Sequence, residues 1–259
     1  MADKSRNSEV PVSRQGAVAT VTLTRPALTS AVKAALRDAL DEVAKDDSVR
    51  AVVLTGTGKA FCVGQDLGEH AEALRADPST AFATIEEHYN PIVVALATMP
   101  KPVVAAINGT CVGAGLGFAL ACDLRVTADT AKFGTAFTAI GLTPDSGLSA
   151  TLARAVGSAR ASELVLLGAS FTAAEAAAWG IAGRVVPAAE VADTAATLAE
   201  RLAAGPTRAY AEAKRALAAP LAEALREEGA AQARLGLTAD HRAAVEAFLA
   251  KEKPAFEGR

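Results

Sequence analysis

Cysteine and aromatic side chains are scarce in this chain of 259 residues, which has three cysteines and 4% aromatic residues. Cys62, Cys111 and Cys122 are odd in number and show no C-x-x-C spacing, so the sequence predicts neither a disulfide framework nor a zinc site. We interpret them as buried thiols in a reducing cytoplasm. With 51% hydrophobic residues but few aromatics, the core is expected to consist largely of Ala, Val and Leu, which favours helices packed closely on a sheet.

The chain also lacks an excess of charge of one sign and a long apolar run. Its net charge of -3 offers no basic field for a phosphate backbone, so a nucleic-acid partner is not expected. No segment has the roughly 18 uninterrupted apolar residues that a membrane span needs. Residues 1–10 carry mixed charges and no apolar signal segment. The sequence therefore predicts a soluble, cytoplasmic protein with no membrane partner.

Motifs for metals, nucleotides and serine hydrolysis are missing as well. We interpret His70, His88 and His241 as isolated, because none has a carboxylate or cysteine at metal-ligand spacing. The glycines at 113–117 have the wrong spacing for a dinucleotide fingerprint, and no P-loop or G-x-S-x-G elbow occurs. We predict no metal site and no separate cofactor.

What the chain does contain is alternating strand and helix patterns. Residues 17–24 alternate as a half-buried strand does, and 31–45 have apolar residues at helical spacing. A short strand at 51–56, a helix over about 79–98 and a strand in VVAAIN at 103–108 follow. Strand, helix and strand in this order indicate βαβ units with parallel strands, and therefore an α/β fold.

The C-terminal part reads differently. From about residue 146 the pattern predicts one helix after another, interrupted by a strand at 183–186. The alanine, leucine, glutamate and arginine content of the tail favours helix. We divide the chain into a core at 1–199 and a helical region at 200–259.

Two glycine-containing loops can place backbone N–H groups in a cleft. KAFCVGQDL at 59–67 would present the amide of Gln65, and the glycine-rich turn at 113–117 would present that of Ala114. Two converging N–H groups stabilise an oxyanion that develops during a reaction. Either loop alone is more often an ordinary glycine turn.

Six segments of the chain, taken together and in order, resemble the crotonase superfamily of enoyl-CoA hydratases and isomerases. The segments are Arg25-Pro26, LTGTGKAFCVGQDL at 54–67, KPVVAAINGTCVGAG at 101–115, ACDLRVTADTAKFG at 121–134, LTPDSG at 142–147 and AVEAFLAKEKPAF at 244–256. The resemblance implies a ββα spiral core, a C-terminal helical trimerisation region and an acyl-CoA thioester substrate. It implies a homotrimer or a dimer of trimers.

The resemblance also assigns residues to the site. It places the oxyanion hole at the amides of Gln65 and Ala114, in agreement with the two loops. The positions that it assigns to CoA or substrate contacts are Arg25, Ala27, Asp66, Leu67, Gly113, Phe137 and Lys251. Lys251 is also what a solvated helix end looks like, where a helix dipole favours lysine.

Two departures from the family pattern affect the predicted reaction. The two glutamates that activate and deliver water in family hydratases correspond to Gly117 and Phe137 here, and neither side chain can transfer a proton. General acid–base groups typically contribute about 10² to 10⁴ in rate, so hydration of ordinary enoyl-CoA is expected to be slow.

Asp145 has two interpretations. Before an apolar helical run it is typical of a helix N-cap, and this is the better interpretation without the family. The segment FTAIGLTPDSG, however, resembles the family's epoxyphenylacetyl-CoA isomerase and enoyl-CoA isomerase subgroup, in which the matching aspartate is the acid–base. We therefore predict an acyl-CoA isomerase in which Asp145 shifts a double bond, or rearranges a ring epoxide, by proton transfer. The alternatives are a weak hydratase, a dehalogenase or hydrolase with Asp145 as nucleophile, and a non-catalytic acyl-CoA-binding protein.

Overall fold

The computed structural model describes residues 9–218 and 221–254. Its strands are β1 Val12–Gln15, β2 Val18–Leu23, β3 Ala27–Leu28, β4 Ala51–Gly56, β5 Ala60–Cys62, β6 Gly64–Gln65, β7 Val103–Ile107, β8 Thr110–Val112, β9 Leu124–Ala128, β10 Lys132–Gly134, β11 Phe171–Thr172 and β12 Arg184–Val186. Its α-helices are α1 Ser30–Lys45, α2 Leu67–Ala76, α3 Asn90–Thr98, α4 Ala114–Ala121, α5 Leu148–Leu167, α6 Ala173–Ala178, α7 Val191–Ala203, α8 Thr207–Ala218, α9 Leu221–Leu235 and α10 Ala239–Ala250.

The largest sheet has six strands in the order β1, β2, β4, β7, β9 and β12. Only the β1–β2 pair is antiparallel; the other neighbours are parallel. All five residues of β7 are buried, as expected for a central strand of a parallel sheet that is covered on both faces. This sheet and the helices packed on it contain most of the core, in which Ala, Val and Leu predominate.

A second sheet has the order β11, β10, β8 and β5, and a two-stranded sheet joins β3 to β6. Along the chain, β4, β7 and β9 are neighbours in the first sheet, while β5, β8 and β10 are neighbours in the second. Each repeat therefore contributes one strand to each sheet before the chain moves on. This is the ββα spiral that the family resemblance implies.

Five of the predicted elements have counterparts close to their predicted bounds: β2, α1, β4, β7 and β12. The helix predicted over 79–98 is wrong in its first half, because a π-helix occupies Ile85–Tyr89 and α3 begins only at Asn90. Pro91 explains that boundary, since proline is tolerated in the first turn of a helix but not in its interior.

The C-terminal region is helical, with α8, α9 and α10 within 200–259. Helix α7 runs across residue 199, where the core was predicted to end. Residues 219–220 and 255–259, which include the end of the last family-like segment, lie outside the described part. No helix among the described residues has the length and apolarity to cross a membrane.

Candidate active site

A cavity of about 660 Å³ lies where the two predicted loops meet helices of the C-terminal region. Apolar side chains such as Phe82, Ile85 and Leu142 form much of its wall. It brings together eight of the predicted site residues: Ala27, Gln65, Asp66, Leu67, Gly113, Ala114, Phe137 and Asp145. Residues as far apart in the sequence as Ala27 and Asp145 thus line one cavity.

Two predicted contact residues do not line this cavity. Arg25 is exposed, and its Nε lies 3.2 Å from a carboxylate oxygen of Glu9. Lys251 is the exposed C-cap residue of α10, although the neighbouring Phe248 and Glu252 do border the cavity. The roles of Arg25 and Lys251 in CoA binding stay predictions.

The two loops that carry Gln65 and Ala114 are in direct contact. A Cβ placed at Gly64 would lie 3.4 Å from the Ala114 backbone nitrogen. Ala114 is the first residue of α4, where N–H groups have no acceptor within the helix, and the helix dipole favours negative charge there. The local geometry is therefore suited to an anionic oxygen.

The loop at Gln65 is held in place by the buried ammonium group of Lys33. Lys33 Nζ donates to Gln65 Oε1 at 3.0 Å and to Thr84 Oγ1 at 2.7 Å. The Tyr89 hydroxyl donates to the same Gln65 oxygen. Burial lowers the pKa of Lys33, while Glu69, Asp145 and other nearby carboxylates raise it. These contacts fix the Gln65 side chain and with it the strand β6.

Helix α2, directly after this loop, begins at a side-chain cap. Asp66 is its N-cap, and Oδ1 accepts a hydrogen bond from the Glu69 amide at 3.0 Å. The sequence had a signal for it, because an acidic N-cap followed three residues later by glutamate is a known helix start. Asp66 thus orders the loop while also lining the cavity.

Asp145 is buried, with 6% of its surface exposed, and lies on the cavity wall. The Ser146 hydroxyl donates to Oδ1 at 2.7 Å, and Gln232 Nε2 from α9 donates to Oδ2 at 3.1 Å. The N-cap position of α5 belongs to Gly147, two residues after Asp145. Ser146 has a φ of 54°, a left-handed conformation that is rare outside glycine and clusters at functional sites.

The two positions that correspond to the family glutamates are filled or closed. A Cβ at Gly117 would lie 2.7 Å from both the Cβ and the carbonyl oxygen of Ser146, so no side chain fits there without moving the Asp145 segment. Phe137 is buried and its ring lies over Gly113. Neither position can supply a proton-transferring group.

The prediction that the three histidines are isolated is wrong for two of them. His70 Nε2 and His241 Nε2 are 2.8 Å apart, and both side chains are buried. His241 Nδ1 lies 2.8 Å from the Ile140 carbonyl oxygen. The two residues are 171 positions apart, so only the packing of α10 against α2 brings them together.

Among the described residues, no group of three His, Cys, Asp or Glu side chains could hold a metal ion.

Acid is expected to destabilise the protein through this histidine pair. Burial, then the neighbouring His241 and Lys33, lower the pKa of His70 to about 4, and burial lowers that of His241. Because the unfolded chain then binds more protons than the folded one, the free energy of unfolding falls as the pH drops below about 6.5. For His70 alone the loss is about 2 kcal/mol at about pH 5.

Urea unfolding at about pH 7.5 and about pH 5 would measure this loss. The double variant His70→Phe/His241→Leu keeps every carboxylate and should lose less stability over the same range. An equal loss in both proteins would contradict the assignment.

Sequence reasoning missed three residues around the site, Lys33, Tyr89 and Gln232, and the contact between His70 and His241. Lys33 could have been noticed as a lysine among the apolar positions of α1, where it is 1% exposed. Tyr89 and Gln232 reach the cavity from the π-helix and α9, and His70 on α2 meets His241 on α10; no local pattern marks these contacts.

Comparisons with known proteins agree with this arrangement. Residues 13–259 match the family described as enoyl-CoA hydratase/isomerase. The 1,2-epoxyphenylacetyl-CoA isomerase of Escherichia coli K12 is 40% identical over 93% of this chain and 95% of its own length. The 4-chlorobenzoyl coenzyme A dehalogenase-2 of an Arthrobacter species is 39% identical over 78% of this chain and 76% of its own.

A solved structure extends the likeness to the fold. A Mycobacterium abscessus protein assigned as an enoyl-CoA hydratase/isomerase is 51% identical and covers 96% of this chain and 100% of its own, with a TM-score of 0.78. The names of these relatives include more than one reaction. Their common family and the spiral fold described above lead to one conclusion: this chain belongs to the enoyl-CoA hydratase/isomerase family and has the crotonase fold.

Proposed function

We propose that the protein is an acyl-CoA isomerase that shifts a carbon–carbon double bond by proton transfer through Asp145. The observation that carries the proposal is the carboxylate of Asp145, the only buried one among the described residues that line the cavity, combined with the lack of a proton-transferring side chain at Gly117 and Phe137. Water addition needs a group that activates water, and neither Gly117 nor Phe137 can do so.

The reaction begins with the carboxylate of Asp145 as base. It takes a proton from the carbon alpha to the thioester of a 3-enoyl substrate. The electron pair of that C–H bond moves into the thioester, whose oxygen becomes an enolate oxygen. The backbone N–H groups of Gln65 and Ala114 donate to this oxygen, and the N-terminus of α4 favours its charge.

The second step returns the proton. The carboxylic acid of Asp145 protonates the gamma carbon, the thioester carbonyl forms again, and the double bond now lies between the alpha and beta carbons. Nothing is added or lost, so the product has the mass of the substrate. The hydrogen bonds from Ser146 and Gln232 hold the carboxylate in place during both transfers. Coenzyme A is part of the substrate, and no further cofactor enters the steps.

The apolar cavity supports a neutral acyl group and the exclusion of bulk water. Burial of an acyl chain against Phe82, Ile85 and Leu142 contributes binding energy. A dry site also strengthens the hydrogen bonds to the enolate oxygen. Rearrangement of a ring epoxide is a second candidate of the same type, favoured by the 40% identity to 1,2-epoxyphenylacetyl-CoA isomerase.

A homotrimer, or a dimer of trimers, remains part of the proposal. Exposed apolar side chains in the C-terminal helical region support it, since such patches often mark contacts between chains. They are Leu217, Leu237, Phe248 and Leu249.

The test is incubation with a panel of CoA thioesters that includes 3-enoyl, 2-enoyl and ring-epoxide acyl groups. We expect products of unchanged mass and changed ultraviolet absorbance, because conjugation with the thioester is gained. A product heavier by one water would instead make the protein a hydratase. Release of halide from a halogenated aryl thioester, with an ester trapped on Asp145, would make it a dehalogenase. Tight binding without turnover would make it a binding protein.

A further inference from the structure

His70 lines the cavity, and only one of its two ring nitrogens is used in a hydrogen bond. Its Nε2 bonds to His241, but Nδ1 has no hydrogen-bond partner among the described residues. We propose that His70 Nδ1 accepts a hydrogen bond from a hydroxyl group on the acyl part of the substrate, beyond the reacting carbons. The site therefore prefers hydroxylated acyl thioesters to plain ones. This rests on the acyl-CoA substrate of the proposed function and names the class of acyl group.

The contacts of the pair determine which nitrogen carries each proton. The Ile140 carbonyl can only accept, so His241 Nδ1 is the donor in that 2.8 Å contact. In a neutral His241 ring, Nε2 is then an acceptor, and His70 Nε2 must be the donor to it. A neutral His70 ring with its proton on Nε2 has a lone pair on Nδ1. Through His241, the Ile140 carbonyl thereby makes His70 Nδ1 a hydrogen-bond acceptor.

The neutral state of both rings follows from their surroundings. His70 and His241 are buried, and Phe82 contacts both rings, with centroids 5.1 Å and 5.6 Å away. The charged groups around His70 are Lys33, whose ammonium disfavours a second positive charge, and the carboxylates of the cavity wall. Burial and Lys33 lower the pKa of His70, so near neutral pH it is an acceptor for a neutral donor rather than a partner for an anion.

The position of His70 places it beside the acyl group. The mouth of the cavity is marked by exposed residues, among them Val63, Phe248 and Glu252. The large, charged CoA moiety has to leave through that mouth. His70 is only 4% exposed, and its ring packs edge-on against the wall residue Phe82. A group that reaches Nδ1 therefore belongs to the enclosed acyl part of the thioester.

A lone pair in an apolar cavity discriminates between acyl groups. A plain hydrocarbon chain removes water from Nδ1 without replacing its hydrogen bond, whereas a hydroxyl group replaces it. An unpaired buried acceptor lowers affinity by about 10- to 100-fold relative to a paired one. The preference is expected only where the hydroxyl reaches His70.

Binding of saturated thioesters tests the proposal without any turnover. The probes are hexanoyl-CoA and its 4-, 5- and 6-hydroxy derivatives, measured by titration calorimetry. We expect at least one derivative to bind about tenfold more tightly than hexanoyl-CoA. His70→Leu should abolish that preference and retain binding of hexanoyl-CoA, and the control His88→Leu, outside the cavity lining, should keep it. Equal affinities for all four probes in the unchanged protein would overturn the proposal.

Nitrogen NMR provides a readout that does not depend on variants. The chain has only three histidines, so a protein labelled with ¹⁵N-histidine gives few signals. At neutral pH His70 should be protonated on Nε2 and His241 on Nδ1, and the preferred hydroxylated probe should shift His70 Nδ1 where hexanoyl-CoA does not. A protonated His70 Nδ1, or no such shift, would refute the inference.

His241→Leu separates this role from simple packing. Without its acceptor, the His70 Nε2 proton can move to Nδ1, so the preference for a hydroxylated acyl group should disappear or reverse although His70 is still present. Persistence of the preference would contradict the tautomer assignment. Loss of isomerase activity in other tests leaves these results unchanged, because saturated probes are bound and not converted.

Discussion

Asp145→Asn is expected to lower isomerase turnover by about 10² to 10⁴, because the amide cannot take up or deliver the proton. The fold should survive the change. Ser146 can still donate to the remaining oxygen, and Gln232 can rotate its amide so that Oε1 accepts from the new NH₂ group. That oxygen is buried and has no partner among the described residues, so the rotation would even satisfy it.

The measurement is kcat for the enoyl-CoA that the panel identifies, together with the affinity for a saturated acyl-CoA. Affinity should stay within a few-fold, because Asp145 acts on the reacting carbons and not on the CoA moiety. The matched control is Asp129→Asn, the same chemical change at an exposed aspartate outside the cavity. Turnover that survives in the Asp145 variant would remove Asp145 from the reaction.

Gly115→Ala is expected to cost more than about 3 kcal/mol in the free energy of unfolding and to remove most of the activity. A Cβ at Gly115 would lie 2.3 Å from the carbonyl oxygen of Cys62 and 2.8 Å from its carbonyl carbon. Both atoms are backbone, so they cannot give way as a flexible side chain can. Helix α4 would have to move away from β5, and the Ala114 amide would separate from the Gln65 loop.

Urea unfolding and kcat/KM measure the two effects. Gly16→Ala is the control, because Gly16 has a φ of 56° but no heavy atom within 4 Å of an added Cβ. Gly16→Ala should lower the free energy of unfolding by only about 1 to 2 kcal/mol, the cost of an alanine in a left-handed conformation, and leave the activity unchanged. If Gly115→Ala were no more costly than Gly16→Ala, the close approach of α4 to Cys62 would not be a constraint on the fold.

Local patterns in the chain are enough for much of the fold. The alternation of β2, the apolar spacing of α1 and the all-apolar β7 each reflect an element whose burial follows from its own residues. The boundaries within residues 85–98 do not follow from the local pattern, because a π-helix and a proline at the start of α3 interrupt one apolar stripe. The family-like segments supplied the spiral, which no single element specifies.

The candidate site divides in the same way. The sequence by itself determined which residues are the candidates, namely Gln65, Ala114 and Asp145, since each belongs to a short segment with a recognisable motif. Only the tertiary structure decided what surrounds them. Ser146 closes the space at Gly117, and Gln232, 87 positions along the chain, holds the Asp145 carboxylate.

The histidine pair shows the physical reason for that limit. His70 and His241 are separate residues in the sequence, and their protons are arranged by a third, the Ile140 carbonyl. Hydrogen-bond polarity and burial depend on contacts between distant elements, which helical or strand periodicity does not encode. The sequence determined which chemical groups are available, and the packing of α2, α9 and α10 around one cavity decided which of them act together.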